Sequence, residues 1–348
     1  MSFTNILVIK LRHIGDVLLA TPVFRTLRQA YPDAKLTALL NRGTEDVLRH
    51  HPDLNEILVA EKGVPAAQFQ FLLNLRRKRY DCVVDLTDGD RSAFMSLATG
   101  AATRVGFNAE HRWRGLLYTH VAKPSPGDAH RIEYDLATLR SLGLMPTTCR
   151  PDLYISPDEE LAAKRALDEA FGSDKRSSRL IVIQPGARYS LKVWPPERFA
   201  ELADRLSRTV PCRILLGGDA RERDVAEAVQ ERTRCRPTIV AGRFSLLEFG
   251  ALLKQCDLFI GNDGGAMHIA AAVGTPVVAL FGPTYPQRWG PRGSPSEIVY
   301  KGLDCRACYH PVCIRGEENC MRLISVDEVF DRCMRLLDKT GTEASSGA

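Results

Sequence analysis

The sequence predicts an α/β fold built from two doubly wound parallel sheets. Short runs rich in β-branched residues alternate with segments of helical period, as parallel βαβ units require. The alternation lapses near the middle of the chain and then restarts. At about 100–200 residues per domain, 348 residues suit two such domains.

The first run, Ile6-Leu7-Val8-Ile9, reads as a strand closed by the turn Arg12-His13-Ile14-Gly15-Asp16. Val17 to Tyr31 follows, with Val17, Phe24 and Leu27 on one helical face. Ala34–Leu40 and Glu56–Val59 are expected strands with a helix over Glu45–His50 between them. A helix over Ala66–Arg77 then leads to the strand Cys82–Leu86. From Pro146 to Pro157 the chain is rich in Pro and Thr and has no period. The helix Asp158–Phe171 and the polar stretch Gly172–Ser178 complete the junction.

The second series comprises strands at Leu180–Gln184, Arg213–Leu216, Thr238–Val240, Leu258–Ile260 and Val277–Phe281. Its helices are expected at Pro196–Arg208, Arg221–Glu231, Leu246–Lys254 and Ala266–Val273. Residues 1–155 and 156–340 therefore read as two Rossmann-like domains facing a central cleft, with 341–348 a disordered small, polar tail.

Composition narrows the function. Residues 1–150 hold 20 Lys/Arg against 15 Asp/Glu, whereas the remainder holds 27 of each. A mildly basic half beside a neutral one suggests an acidic partner for the first half. No apolar run approaches the ~20 residues that span a bilayer, and Lys10, Arg12 and Asp16 interrupt the first hydrophobic stretch. A cytoplasmic protein that can touch a membrane surface is expected, with no nucleic-acid partner. Ten cysteines in a chain this long, without a secretory signal, do not read as a disulfide framework.

No G-x-x-x-x-G-K-[ST] loop is present, and no G-x-G-x-x-G follows a strand, so a P-loop ATPase or standard NAD enzyme is disfavoured. The segment Ile260-Gly261-Asn262-Asp263-Gly264-Gly265-Ala266-Met267-His268 reads as strand end, glycine turn and helix start. Gly264 and Gly265 leave backbone N–H groups unshielded at that helix N-terminus, which favours an anion, and His268 can donate to a phosphate oxygen. Asp263 reads equally well as an N-cap and His268 as a surface residue. The loop Gln184 to Pro195 carries Ser190 and Lys192 beyond a strand end, where ligands of open α/β sheets sit. Lys192 can neutralise a diphosphate there or be a solvated lysine. In the loop Leu216-Gly217-Gly218-Asp219-Ala220-Arg221-Glu222, Glu222 can accept from sugar hydroxyls or simply complement the helix dipole. Asp16 stands at the corresponding turn of the first domain, as a cap or as a base.

Taken together, Lys10-Leu11-Arg12-His13-Ile14-Gly15-Asp16-Val17-Leu18-Leu19, Lys192-Val193-Trp194-Pro195, the Glu222 loop, Asp263-Gly264-Gly265 with His268, and Phe281-Gly282-Pro283-Thr284 resemble glycosyltransferase family 9. These are the lipopolysaccharide heptosyltransferases of the GT-B fold, and the opening segment and the Gly186-to-Trp194 loop look most like the third inner-core branch. The resemblance implies an inverting transferase that needs no cofactor. It implies ADP-L-glycero-D-manno-heptose as donor, held by the second domain, and a phosphorylated lipid A–Kdo–heptose core as acceptor, held by the first at the cytoplasmic face of the inner membrane. By the same resemblance Asp16 is the general base and Lys192 stabilises the leaving diphosphate together with the helix at Gly264-Gly265. Asp263 would hold heptose hydroxyls, Glu222 the ribose and His268 the phosphates. Where some members carry Thr before the lysine, this chain has Ala187-Arg188-Tyr189-Ser190, so Ser190 or Arg188 takes that contact. Arg12, His13 and Arg104 are the acceptor-side candidates.

Different readings of the same residues are another GT-B nucleotide-sugar transferase or epimerase, and a nucleotide-sugar-binding module without chemistry. Cys305, Cys308, Cys313 and Cys320, spaced C-x2-C-x4-C-x6-C around His310, could hold zinc or an iron–sulfur cluster. Free thiols are the default, and no metal is expected.

Overall fold

The computed structural model describes residues 2–60, 63–123, 129–172, 178–305, 308 and 312–345. The chain divides into two compact units, Met1–Tyr154 and Ile155–Ala348.

The first unit holds strands β1 (Asn5–Lys10), β2 (Lys35–Asn41), β3 (Glu56–Ala60), β4 (Cys82–Asp85), β5 (Thr103–Phe107) and β6 (His120–Ala122). They form one parallel sheet in the order β3-β2-β1-β4-β5-β6. β1 is central because Ile6 to Ile9 are fully buried, as a strand covered by helices on both faces must be. The expected helix over Val17–Tyr31 is two helices, Ile14–Leu19 and Thr21–Ala30, meeting at Ala20. Pro22, in the first turn of the second, has no N–H to continue the first helix. The helix expected over Glu45–His50 is a single 3-10 turn, Glu45–Leu48.

His51 closes this unit's core, stacked edge-on between Phe24 and Tyr154 at centroid distances of 5.7 and 5.1 Å. Burial, reinforced by the Arg25 charge, lowers its pKa to about 4. The unfolded chain therefore takes up this proton first as pH falls. Stability from neutral His51 is complete above about pH 6.5 and drains away between 6.5 and 4. Chemical denaturation at pH 7.5 and 4.5 should show a wild-type loss of about 2–3 kcal/mol from this group, absent in His51→Gln. Equal pH slopes in the two proteins would refute it.

The second unit holds β7 (Arg179–Gln184), β8 (Cys212–Leu216), β9 (Thr238–Ile239), β10 (Leu258–Asn262), β11 (Val277–Phe281) and β12 (Ser296–Tyr300). They too are parallel, in the order β12-β11-β10-β7-β8-β9. Its core includes Phe199, Leu202, Ala203 and Leu206, one stripe of the helix Pro196–Thr209, packed with Trp194 and the sheet. Each fully buried large apolar side chain there contributes about 1.5–3 kcal/mol.

The helix Pro157–Phe171 starts on a reciprocal cap in which Ser156 and Glu159 bond each other's backbone N–H. Residues 173–177 of the polar stretch after it lie outside the described residues. The disordered tail expected over 341–348 is corrected as far as Ser345. The helix Val326–Ser345 runs through Gly341, and residues 346–348 lie outside the described residues.

Candidate active site

In each sheet the strand order reverses direction once, between β1 and β4 and between β7 and β10. Ligands of open α/β sheets bind beyond the strand ends at that switch point. The candidate residues other than Arg104 lie on the loops and helix starts that follow these strands and β8.

In the second unit, β7 and β10 lie side by side and their following loops are sewn together by Asn262. Its side-chain amide donates to the carbonyls of Pro185 and Gly186 at 2.8 and 3.1 Å, and its Oδ1 accepts from the Trp194 N–H at 3.1 Å. Trp194 is fully buried and donates Nε1–H to the Ile324 carbonyl at 3.0 Å, anchoring the loop from below. Lys192, in the 3-10 turn Ser190–Lys192, is thereby delivered to Asp263, with Nζ 2.5 Å from Oδ2. Thr284 Oγ1, from the loop after β11, donates to the same carboxylate oxygen.

Asp263 is thus an ion-pair partner and not a cap. The N-cap of the helix Gly265–Val273 is Gly264, which has no side chain to bond the first-turn N–H groups. Those groups and the helix dipole lie one residue from Asp263, whose charge Lys192 balances, so the helix N-terminus supplies the net positive potential there. His268, the fourth residue of that helix, is buried, which corrects its reading as a surface residue. Ser190 is exposed on its turn.

Glu222 reaches the same region from the loop after β8. Its Oε2 accepts from Gln184 Nε2 and from the Asp219 N–H, each at 3.0 Å, and burial raises its pKa. Gly186 makes room for it, because a Cβ there would lie 2.4 Å from Glu222 Oε1. Any side chain at 186 would push the carboxylate out of place.

In the first unit Asp16 is the third residue of the helix after β1, half-buried, with its Oδ2 accepting a long 3.4 Å bond from the His13 N–H. The N-cap is His13, and Asp16 closes the cap from the third helical position as the acceptor of that N–H, so it supports the helix start while its carboxylate stays half-buried. Arg12 donates twice to the Thr87 carbonyl, at 3.0 and 2.7 Å, and Thr87 Oγ1 accepts from the Leu11 N–H. Buried Asp85 fixes this Thr87 loop by accepting its N–H at 2.8 Å, and burial raises the Asp85 pKa. His13 and Arg12 flank Asp16 at the β1–β4 switch point. Arg104 is not brought there. It is the second residue of β5, level with Val83, and spends its guanidinium on the Leu117 and Ala101 carbonyls.

Behind Asp16 lies a group that the sequence reading missed. Lys10, fully buried, places Nζ 2.5 Å from Asp135 Oδ2, and Arg131 holds Oδ1 of the same carboxylate at 2.7 Å. Burial, with help from the Arg131 charge, lowers the Lys10 pKa to about 8. The Asp16 carboxylate is near enough to favour the charged forms of both cations. Two cations against one fixed carboxylate leave one positive charge, which Asp16 balances. Asn262, Thr284 and Gln184 were missed as well. The signals available were a charged residue ending an apolar strand and a polar residue ending β10.

Cys305, Cys308, Cys313 and Cys320 are not joined in disulfides, and burial raises the pKa of Cys308 and Cys320. Among the described residues no three His, Cys, Asp or Glu side chains are disposed to hold a metal ion, and His310 lies outside them. No helix among the described residues is long and apolar enough to cross a membrane.

Residues 69–318 match the family model for glycosyltransferase family 9 (heptosyltransferase). Lipopolysaccharide heptosyltransferase 3 of Escherichia coli K12 is 33% identical over 294 residues, covering 81% of this chain and 83% of that protein. A family 9 glycosyltransferase structure from Veillonella parvula superposes with a TM-score of 0.84 at 24% identity, covering 97% of this chain and 98% of that one. The E. coli ADP-heptose lps heptosyltransferase II structure gives 0.79 at 24% identity, covering 97% and 100%. The chain has the GT-B fold of these structures. A match over most of its length, with the relative from E. coli K12, places this chain in glycosyltransferase family 9, the lipopolysaccharide heptosyltransferases.

Proposed function

We propose that the chain transfers L-glycero-D-manno-heptose from ADP-heptose to the phosphorylated inner core of lipopolysaccharide, with inversion and with Asp16 as general base. The observation that carries this is the switch-point site of the second unit. Lys192, Asp263 and an uncapped helix N-terminus meet there, which suits a sugar joined to a diphosphate. The ADP-heptose named for the E. coli structure supports the donor.

The acceptor hydroxyl attacks the anomeric carbon on the face opposite the diphosphate. Its proton passes to an Asp16 carboxylate oxygen as the bond from the anomeric carbon to the phosphate oxygen breaks. Charge growing on the departing ADP is met by the Lys192 ammonium and the N–H groups from Gly265 onward, fixed in place beforehand. Asp263 orients Lys192 and accepts from heptose hydroxyls. Glu222 accepts from the ribose, and His268 and Ser190 donate to the phosphates. Arg12 and His13 meet the acidic acceptor, in keeping with the basic excess of residues 1–150. The reaction takes place at the cytoplasmic face of the inner membrane.

The test is transfer from ADP-heptose to defined truncated core acceptors, with product mass and anomeric configuration read by mass spectrometry and NMR. One added heptose of inverted configuration is expected. Preference for a UDP-sugar, or retention of configuration, would overturn the proposal.

A further inference from the structure

The first unit carries a row of exposed apolar side chains that the chemistry does not use. In the helix Asp90–Ala98 the solvent face consists of Arg91, Phe94 and Leu97, one residue per turn, while Ser92, Ala93, Met95 and Ser96 are buried. Phe94 is 54% and Leu97 39% exposed. Gly100 continues the row, and the Arg76 guanidinium lies against it, 2.3 Å from where a Cβ would stand. A basic group therefore closes each end of the apolar pair.

Beside this helix packs the 3-10 turn Trp113–Leu117. Trp113 and Leu116, three residues apart and so on one side of it, are 51% and 87% exposed. The turn is no loose loop. Arg114, between them, is buried and bonds Asp88, Asp90 and Glu110, at 2.8, 3.2 and 3.3 Å. Three carboxylates thus hold rigid an element whose outward residues are Trp and Leu. Asp90 also pairs with Arg112, so the acids nearest the turn, although Glu110 and Asp90 are partly exposed, are matched by arginines. The helix Pro65–Arg77, which packs beside Asp90–Ala98, adds Phe69 at 63% exposure. It has no acidic residue and runs into Arg76-Arg77-Lys78-Arg79.

We propose that Phe94, Leu97, Trp113 and Leu116, with Arg91 and Arg76, seat this unit on an anionic lipid bilayer. Aromatic and aliphatic tips enter the headgroup boundary, where Trp is favoured, and the arginines meet lipid phosphates. The proposal rests on the reading that the acceptor is lipid-anchored, and it names the surface that brings the enzyme to it. A rigid apolar ridge with basic ends suits a bilayer better than a polar protein partner.

Co-sedimentation with phosphatidylglycerol–phosphatidylethanolamine vesicles containing no lipopolysaccharide, and no donor, tests it. Wild type should partition to these vesicles and not to pure phosphatidylcholine. The Trp113→Ser/Leu116→Ser double variant and Arg91→Glu should each bind about tenfold more weakly, with unchanged Tm. Turnover on an acyl-free core oligosaccharide should be unaffected, while turnover on vesicle-embedded acceptor falls by a similar factor. Equal sedimentation of wild type and variants overturns the proposal. So does a wild-type dimer that the double variant converts to monomer, since the ridge would then be a protein interface. Loss of turnover on the acyl-free acceptor in the variants overturns it too. Because vesicle binding is read without substrates, failure of wild-type transfer counts against the enzymatic reading alone.

Discussion

Asp16→Ala is expected to lower kcat by about 10²–10⁴-fold, the range a positioned proton acceptor supplies, while donor affinity stays within about threefold. The separation follows from where the groups sit. Asp16 belongs to the helix after β1, whereas Lys192, Glu222 and Asp263 belong to the other unit. Asp16→Asn keeps the shape and can still accept the His13 N–H, so it isolates the loss of the base from the loss of the turn. Calorimetric titration with ADP-heptose and steady-state rates on a defined acceptor would measure both quantities. Turnover within a factor of about three of wild type in both variants would remove Asp16 from the chemistry.

Lys192→Met carries the second large effect, a fall in kcat of about 10²–10³ as the charge opposite the leaving diphosphate disappears. A structural cost accompanies it. Asp263 is buried, and removing its cation leaves a carboxylate that, among the described residues, keeps the Thr284 hydroxyl as its side-chain partner. Breaking a buried pair costs about 3–5 kcal/mol, and this pair, with Lys192 18% exposed, should lie toward the lower end. The double variant Lys192→Met/Asp263→Asn separates the two roles. It should regain most of the stability and none of the turnover, because a neutral amide relieves the stranded charge but supplies no cation. Recovery of activity alongside stability would mean that Lys192 acts only as a scaffold.

The alternation of strands and helices was legible because strands buried on both faces must be apolar throughout, as Ile6–Ile9 and Val277–Phe281 are. What escaped was shorter or mixed. β6 has three residues, β5 contains Arg104 and Gly106, and β12 stands among glycines and prolines, so no run announces them. Within the site, residue types at strand ends could be read, but partners could not. Asp263 looks like a cap until the chain returns Lys192 to it, 71 positions away in sequence. Lys10 belongs to a recognisable opening segment, yet its burial against Asp135 joins residues 125 positions apart, beyond any local pattern. The position of Arg104 away from the β1–β4 switch point was hidden for the same reason, since only the sheet register shows which end of β5 it occupies.

Counted from its own first strand, each unit repeats one strand order, 3-2-1-4-5-6. Tyr154 and Ile155, where the units divide, fall before the helix Pro157–Phe171 and in no strand. A genetic crossover at that point would split no sheet ladder and strand no half-core. Either unit could therefore be exchanged at that point with both sheets left whole, which makes the junction the place where the chain tolerates the joining of a foreign half.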